Sequence, residues 1–319
     1  MKVKKLHSSE WPQFFEWSAK RGGLFTSPNW ADPFEGKIAL FVVEGSGVWE
    51  AGFIAFEGGK KFAKTLITPP FTPNIGLFLD SDHRQGAKKL SHEKRIANAI
   101  SDFLHLSEYV FFQLELPTDW SDTQPFLWSK YRVEVRYTYL LDVQQTDDEL
   151  LQGMDAKLRN VLAKGEKEPW QVSLEKSESA LLSLLLPHLR RKNIQHADLA
   201  VQLIKTNLHS DRVLQVVVRN DRNEEVYTAV FFRNNQRLYY LFGAKAEEVS
   251  TNVLGPLGLW KAITSAREYG ISHLDFEGSM IPEVERFFRG FGGSLVPFYS
   301  VSGGKSIWPL LFRARYRRS

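Results

Sequence analysis

The 319-residue chain has no cysteine. Disulfide scaffolds, thiolate metal sites and a cysteine nucleophile are therefore excluded, and the composition fits a reducing compartment. Its eight histidines are scattered, with no His-x-x-x-His pair or carboxylate–histidine cluster at ligand spacing, so no metal is expected. No Gly-x-Ser-x-Gly elbow, Walker loop or Rossmann fingerprint occurs. Long apolar runs are missing as well. The greasiest stretch, residues 181–186, stops at Pro187 and His188, far short of a membrane span. The basic start MKVKKLH has no apolar segment behind it, so no secretory signal is expected, and a soluble cytoplasmic protein is the working expectation. Little net charge is left over. Of 41 basic residues, four are arginines in the tail 313–319, leaving 37 against 37 acidic residues, so the formal +4 is a local feature. Such a tail suits phosphates of RNA or lipid head groups, or is simply a solvated end.

What the chain does have is ordinary globular composition, 43% hydrophobic and 24% charged, over a length that favours two domains. Periodicity and turn signals give the same order twice. In the first half, a helix starting near Ser8 or Ser9 carries a Trp11, Phe14, Phe15, Ser18 stripe. Strands follow over 37–44, 48–56 and 63–68, then a Pro-rich loop, a helix over 91–106, the strand YVFFQLEL and a long strand over 132–142. In the second half, helical segments cover 147–164 and 177–207. A meander follows over 213–219, 225–232 and 237–243, then a helix over 257–269, the strand ISHLDF, a helix over 282–291 and final strands near 295–302 and 307–313. The expectation is two α/β units of mixed sheet, residues 1–145 and 146–319. The aromatic run Trp120, Phe126, Trp128, Tyr131 reads as core.

The chemistry concentrates late in the second half. The helix behind NVLGPLG presents a free N-terminus, which suits phosphate or carboxylate. Asp275 and Glu277 stand two apart at a strand end and so share a face of the sheet. They are either a carboxylate pair open to a cleft or cap acceptors for the next turn, beside Ser279. In IPEVERFFRGFGG, Val284, Phe287, Phe288 and Phe291 form a core-facing stripe, with Arg289 at its margin.

The order YYLFGA, helix, GISHLDFEG, FFRGFGG resembles the C-terminal half of the Fem-type peptidoglycan aminoacyltransferases, which with their acetyltransferase-like relatives are built from two GNAT-fold domains. DAKLRNVLAKGEKEPWQV is similar to the basic helix that opens the second domain there, and LFTSPNWAD to an early motif of the family. The resemblance implies tandem GNAT-like domains with a cleft between them and acyl transfer to an amine of a small or lipid-linked envelope precursor. It also implies aminoacyl-tRNA or acyl-CoA as co-substrate and contact with tRNA, while the charge of the Arg-rich C-terminus is what suits a membrane surface. It places Phe288 and Arg289 where the family has a Phe-Lys pair, and Tyr239 beside the substrate. Asp275 or Glu277 falls near the base position and Arg289 at the developing oxyanion. Lys245 falls to an anionic donor, and Arg159, Lys164 and Lys167 to acceptor diphosphate, each of these four being otherwise a solvated cation. Some family features are absent. No lysine follows Trp30 closely, there is no room for the long helical hairpin, and NVLGPLG has two glycines with Pro256 in place of an N–H donor. Two rival readings stand beside the transferase of envelope amines. One is a CoA-dependent acetyltransferase acting on a nucleotide-sugar or polysaccharide precursor, and the other is a binding module that keeps the fold without the chemistry.

Overall fold

A computed structural model describes residues 1–80, 85–278 and 280–305. In chain order its strands are β1 (Lys2–Lys5), β2 (Ile38–Gly45), β3 (Val48–Lys60), β4 (Ala63–Ile67), β5 (Phe78–Leu79), β6 (Phe111–Glu115) and β7 (Arg132–Asp142). They continue as β8 (Gln171–Leu174), β9 (Val213–Arg219), β10 (Glu225–Asn234), β11 (Arg237–Lys245), β12 (His273–Asp275) and β13 (Ser294–Gly304). Two compact units result, Met1–Arg136 with the residues from Pro297 onward, and Tyr137–Val296. Among the described residues no helix is long and apolar enough to cross a membrane.

In the first unit the strands run β1-β2-β3-β4-β6-β13, and every pair is antiparallel except β4–β6. β2 is an unbroken apolar run because both of its faces are covered. Phe41 stacks on Phe53 across the β2–β3 pair with centroids 4.9 Å apart. The helix Gly86–Leu106 buries Ile96, Ala97, Ile100 and Leu104 in this core and starts five residues earlier than the sequence pattern indicates.

The second unit is built on the same plan. Its order is β7-β12-β11-β10-β9-β8, antiparallel except for β11–β12. The meander β9–β10–β11 falls within two residues of the expected spans. The helix Leu254–Ser265, followed by one tight turn (Ala266–Tyr269), buries Leu257, Leu259, Ala262 and Ile263. The helical stretch expected over 177–207 comes in several pieces. A wide turn over Leu181–Leu185 precedes Leu186–Arg191, whose second residue is Pro187, and the helix Ala197–Asn207 starts after left-handed Asn193 and His196. Proline removes a backbone donor, and a widened turn accommodates the break.

Two readings of the sequence are corrected here. The aromatic run is not all core: Trp120 and Phe126 are buried, but Trp128 is 62% exposed. Nor is the late stripe wholly core-facing: Phe288 and Phe291 are buried, while Val284 lies at the surface. The expected strand over 307–313, the tail arginines and Ser279 lie outside the described residues.

Candidate active site

In the second unit, backbone and side-chain chemistry meet where β11 and β12 part. β11 and β12 are parallel partners for three residues, Arg237↔His273, Leu238↔Leu274 and Tyr239↔Asp275. β11 then runs on to Lys245 while β12 ends, so no described strand pairs with that edge of β11 beyond Tyr239. On its other edge β11 is bulged: Val230 pairs with Phe242 and Phe231 with Tyr240, leaving Leu241 as the extra residue. A bulge disrupts the ladder and re-aims the chain. A sheet edge without a partner offers N–H groups to any planar carbonyl laid against it.

Past Asp275 the chain turns toward β7, with the Phe276 N–H donating to the Tyr139 carbonyl at 3.1 Å. Glu277 follows with φ 65° and Gly278 with φ 58°. A side chain at Gly278 would place its Cβ 1.9 Å from the Tyr137 carbonyl oxygen, so only glycine fits. Glu277, a non-glycine residue in left-handed backbone, is held there by its own N–H, which donates to Asp275 Oδ1 at 2.9 Å. The expected shared face of Asp275 and Glu277 therefore does not form by strand alternation, because the strand ends at the first of the two. Asp275 instead takes the turn-acceptor role that the sequence left open, for the turn that presents Glu277.

Asp275 is 2% exposed. Its Oδ1 also accepts from Thr138 Oγ1 at 2.5 Å, and its Oδ2 lies 3.6 Å from the Arg237 guanidinium. Burial lifts its carboxyl above the ordinary aspartate range. The Thr138 hydroxyl, the Glu277 N–H and Arg237 pull the other way without cancelling it. Tyr239 is buried beneath Arg237, whose guanidinium carbon is 5.9 Å from the ring centroid, and burial raises its phenol further from ionisation. Sequence reasoning missed Thr138 and Arg237. Thr138 is 137 positions away from Asp275, and Arg237 opens a strand behind a turn, so only the pairing of β7, β12 and β11 brings them together.

The opposite face carries the aromatic residues. Phe288 is 7% exposed, stacks on Phe276 at 5.3 Å and meets the edge of Tyr240 at 5.9 Å. Tyr240 in turn reaches over Gly243: a Cβ there would lie 2.0 Å from its hydroxyl oxygen and 3.2 Å from that of Tyr227. Arg289 ends the helix Pro282–Arg289, with its side chain 60% exposed, and donates through Nε to Glu285 at 3.0 Å. Glu285 also accepts from the Tyr139 hydroxyl at 2.6 Å, and that bond together with the Arg289 charge lowers its pKa. Asp275 and Arg289 are thus not gathered around one point. They lie on different faces of the sheet, each with its own partners.

The remaining candidates have local duties. Lys245 donates from Nζ to the Thr251 carbonyl at 2.9 Å and pins the loop before the helix Leu254–Ser265. Arg159 reaches the carbonyls of Leu151 and Met154 at 3.3 and 2.5 Å, closing the end of the helix Asp147–Gly153. Lys164 is exposed and paired at 3.8 Å with Glu168, one turn on, and Lys167 is exposed. The first turn of the helix Leu254–Ser265 buries Leu254, Pro256 and Leu257, and its cap residue Val253 supplies no side-chain acceptor.

Two α/β units, each with one parallel pair inside an otherwise antiparallel sheet, define the tandem GNAT fold, and the chain has that fold. It is similar to the crystal structure of FemX, with 12% identity over 94% of this chain and 97% of that one and a TM-score of 0.66. It is also similar to L-PGS from Bacillus licheniformis, with 12% identity over 99% and 98% of the chains and a TM-score of 0.58. A tandem GNAT protein from the clavulanic acid biosynthesis pathway matches at 8% identity over 96% and 99%, with a TM-score of 0.50. No family model matches the chain, and no curated protein matches it by sequence.

Proposed function

We propose that the chain is an N-acyl- or aminoacyltransferase acting on an amine of a cell-envelope precursor, with its reaction centre where β11 and β12 part. The observation that supports this reading is that β11 runs on past its last pairing with β12, which ends in the turn that carries Glu277, with a bulge at Leu241 in its pairing with β10. The donor carbonyl lies against that stretch of β11, where backbone N–H groups stabilise the tetrahedral oxyanion. Glu277, half-exposed at the turn, takes the proton of the attacking amine, while Asp275, buried and fully engaged, holds the turn. The new C–N bond forms as the bond from the carbonyl carbon to the leaving oxygen or sulfur breaks, and that atom leaves with the proton or as the anion. Arg289 is an outlying cation on the aromatic face, available to donor phosphates once Glu285 is displaced. Lys164, in the last turn of the helix Ala156–Gly165, and Lys167, in the turn after it, meet the acceptor's diphosphate from the surface.

An aminoacyl donor fits better than a CoA thioester. The helix Leu254–Ser265 has proline at its third position, where pyrophosphate would need an N–H, and its first turn is packed in apolar core. The test is transfer of labelled amino acid from mixed aminoacyl-tRNA, or of acetyl from acetyl-CoA, to an amine-bearing lipid-linked precursor, read by mass spectrometry of the acceptor. The proposal expects an aminoacyl amide. Acetylation alone would move the chain to the CoA reading, and no transfer from either donor would favour the binding module.

A further inference from the structure

A cavity of about 220 Å³ opens in the second unit, at the end of the sheet where β11 begins. Strand register assembles it. Leu174 pairs with Val216, two residues from Leu214; Leu214 pairs with Phe231, two residues from Arg233; and Arg233 pairs with Leu238. Side chains two apart on a strand share a face, so Leu174, Leu214, Arg233 and Leu238 line one side of the sheet. Ile271 and Tyr269, the latter 41% exposed, complete the apolar lining.

Four charged groups line the same cavity, and two of them are engaged. Glu175 pairs with Arg219 at 2.5 Å and accepts from Ser173 at 3.2 Å. Lys176 donates to the Val213 carbonyl and lies 3.5 Å from that of Ser210; it feels the Asp211 charge without pairing with it. Among the described residues, Arg233 uses only its Nε, on the Asn235 carbonyl at 3.0 Å, and the Asp211 carboxylate has neither an ion pair nor a hydrogen bond. The cavity therefore offers an apolar wall, one guanidinium fork and one carboxylate. A ligand that is only an anion would meet Asp211 with like charge, and one that is only a cation would do the same at Arg233. We propose that the cavity binds a free α-amino acid with a branched aliphatic side chain. Its carboxylate takes the terminal nitrogens of Arg233, its ammonium meets Asp211, and its side chain lies against the leucines. The volume is below the ~300–1,000 Å³ of sites for larger ligands, so a nucleotide or a long acyl chain does not fit. The inference uses no part of the acyl-transfer reading.

Calorimetry of the full chain with L-leucine tests it. Isocaproate, which lacks the ammonium, and isoamylamine, which lacks the carboxylate, should each bind roughly tenfold or more weakly, the usual worth of a hydrogen bond to a charged group. L-serine, without the apolar side chain, should also bind more weakly. Arg233→Gln and Asp211→Asn should each weaken L-leucine binding about tenfold or more, with melting temperatures kept, because both substitutions remove only a rim charge. Glu277→Gln should leave L-leucine binding unchanged. Any of three results would overturn the proposal: no binding of L-leucine at millimolar concentration, equal binding of isocaproate or isoamylamine, or binding that is lost in Glu277→Gln and kept in the two rim variants.

Discussion

The two units share a sheet plan but treat the point where their parallel strands meet in opposite ways. In the first unit β4 and β6 pair over Thr65↔Phe111 to Ile67↔Gln113, and the chain then fills the place where β4 would continue. The Thr68 N–H donates to the Gln113 carbonyl at 2.9 Å, and Thr68 Oγ1 accepts from the Glu115 N–H at 2.8 Å. Ile75, fully buried, donates to the Glu115 carbonyl at 3.0 Å and accepts from the Ile54 N–H at 2.9 Å, so it serves as a one-residue strand between β3 and β6. In the second unit β11 runs six residues beyond its last pairing with β12, from Tyr240 to Lys245, with a bulge at Leu241 and no described strand against that edge. The same fold thus has one junction stitched by Thr68 and Ile75, which stabilises, and one at which no described strand continues the pairing. Buried backbone groups must be satisfied, so a junction left unstitched calls for another partner.

The largest effect should come from the carboxylate at the unstitched junction. Glu277→Gln should lower turnover by roughly 10²–10⁴, the usual worth of a positioned base, with little change in a thermal melt. Its counterpart is Glu115, which ends β6 and accepts from Gln113 and Ser300. Glu115→Gln should leave turnover per folded molecule unchanged, and equal losses in the two variants would erase the distinction between the units. Next comes the stitch itself. Ile75→Ala removes a fully buried side chain and should cost about 2–5 kcal/mol in denaturant unfolding, with activity per folded molecule kept.

Asp275 gives a smaller, pH-dependent effect. Burial raises its folded pKa above the ordinary 3.8, so the folded chain holds this proton more tightly than the unfolded chain. The stability linked to this group therefore declines as pH rises from about 3.8 through the raised folded value. Asp275→Asn lacks this decline. The stability difference, wild type minus variant, should thus be more favourable to wild type near pH 4 than near pH 7 in melts taken across that range. A difference that grows with pH would mean that Arg237 outweighs burial. The smallest effect is expected at Lys164. Lys164→Ala should change stability by less than about 0.5 kcal/mol, since an exposed i,i+4 pair contributes little. Its effect on the reaction should be confined to the KM for a diphosphate-bearing acceptor.

Much of this comparison was legible in the sequence. Apolar strand runs and the Asn-rich turns NDRN and RNNQ located the meander β9–β10–β11 to within two residues, and the twofold recurrence of elements anticipated the twofold sheet plan. What separates the two junctions was not legible. The role of Ile75 depends on hydrogen bonds to Ile54 and Glu115, 21 and 40 positions away in 54–75–115, and nothing local marks it as a strand. The bulge at Leu241 is a matter of register between two strands that both read as regular. Asp275 and Glu277 were found because paired carboxylates at a strand end stand out, but their geometry was misread, since β12 stops at Asp275 and left-handed backbone re-aims Glu277. Trp128 was assigned to core on aromatic density alone, although the turn that follows its short helix leaves it outside.

Hydrogen–deuterium exchange with a bound donor mimic tests the central claim most directly. The full chain is incubated with a non-hydrolysable aminoacyl-adenosine amide, and exchange is followed in peptides covering 238–246 and 65–76. The account predicts slower exchange in 238–246, where the donor carbonyl takes up the N–H groups along β11, and unchanged exchange in 65–76, where Thr68 and Ile75 already satisfy the strands. Protection in 65–76 with none in 238–246 would contradict it.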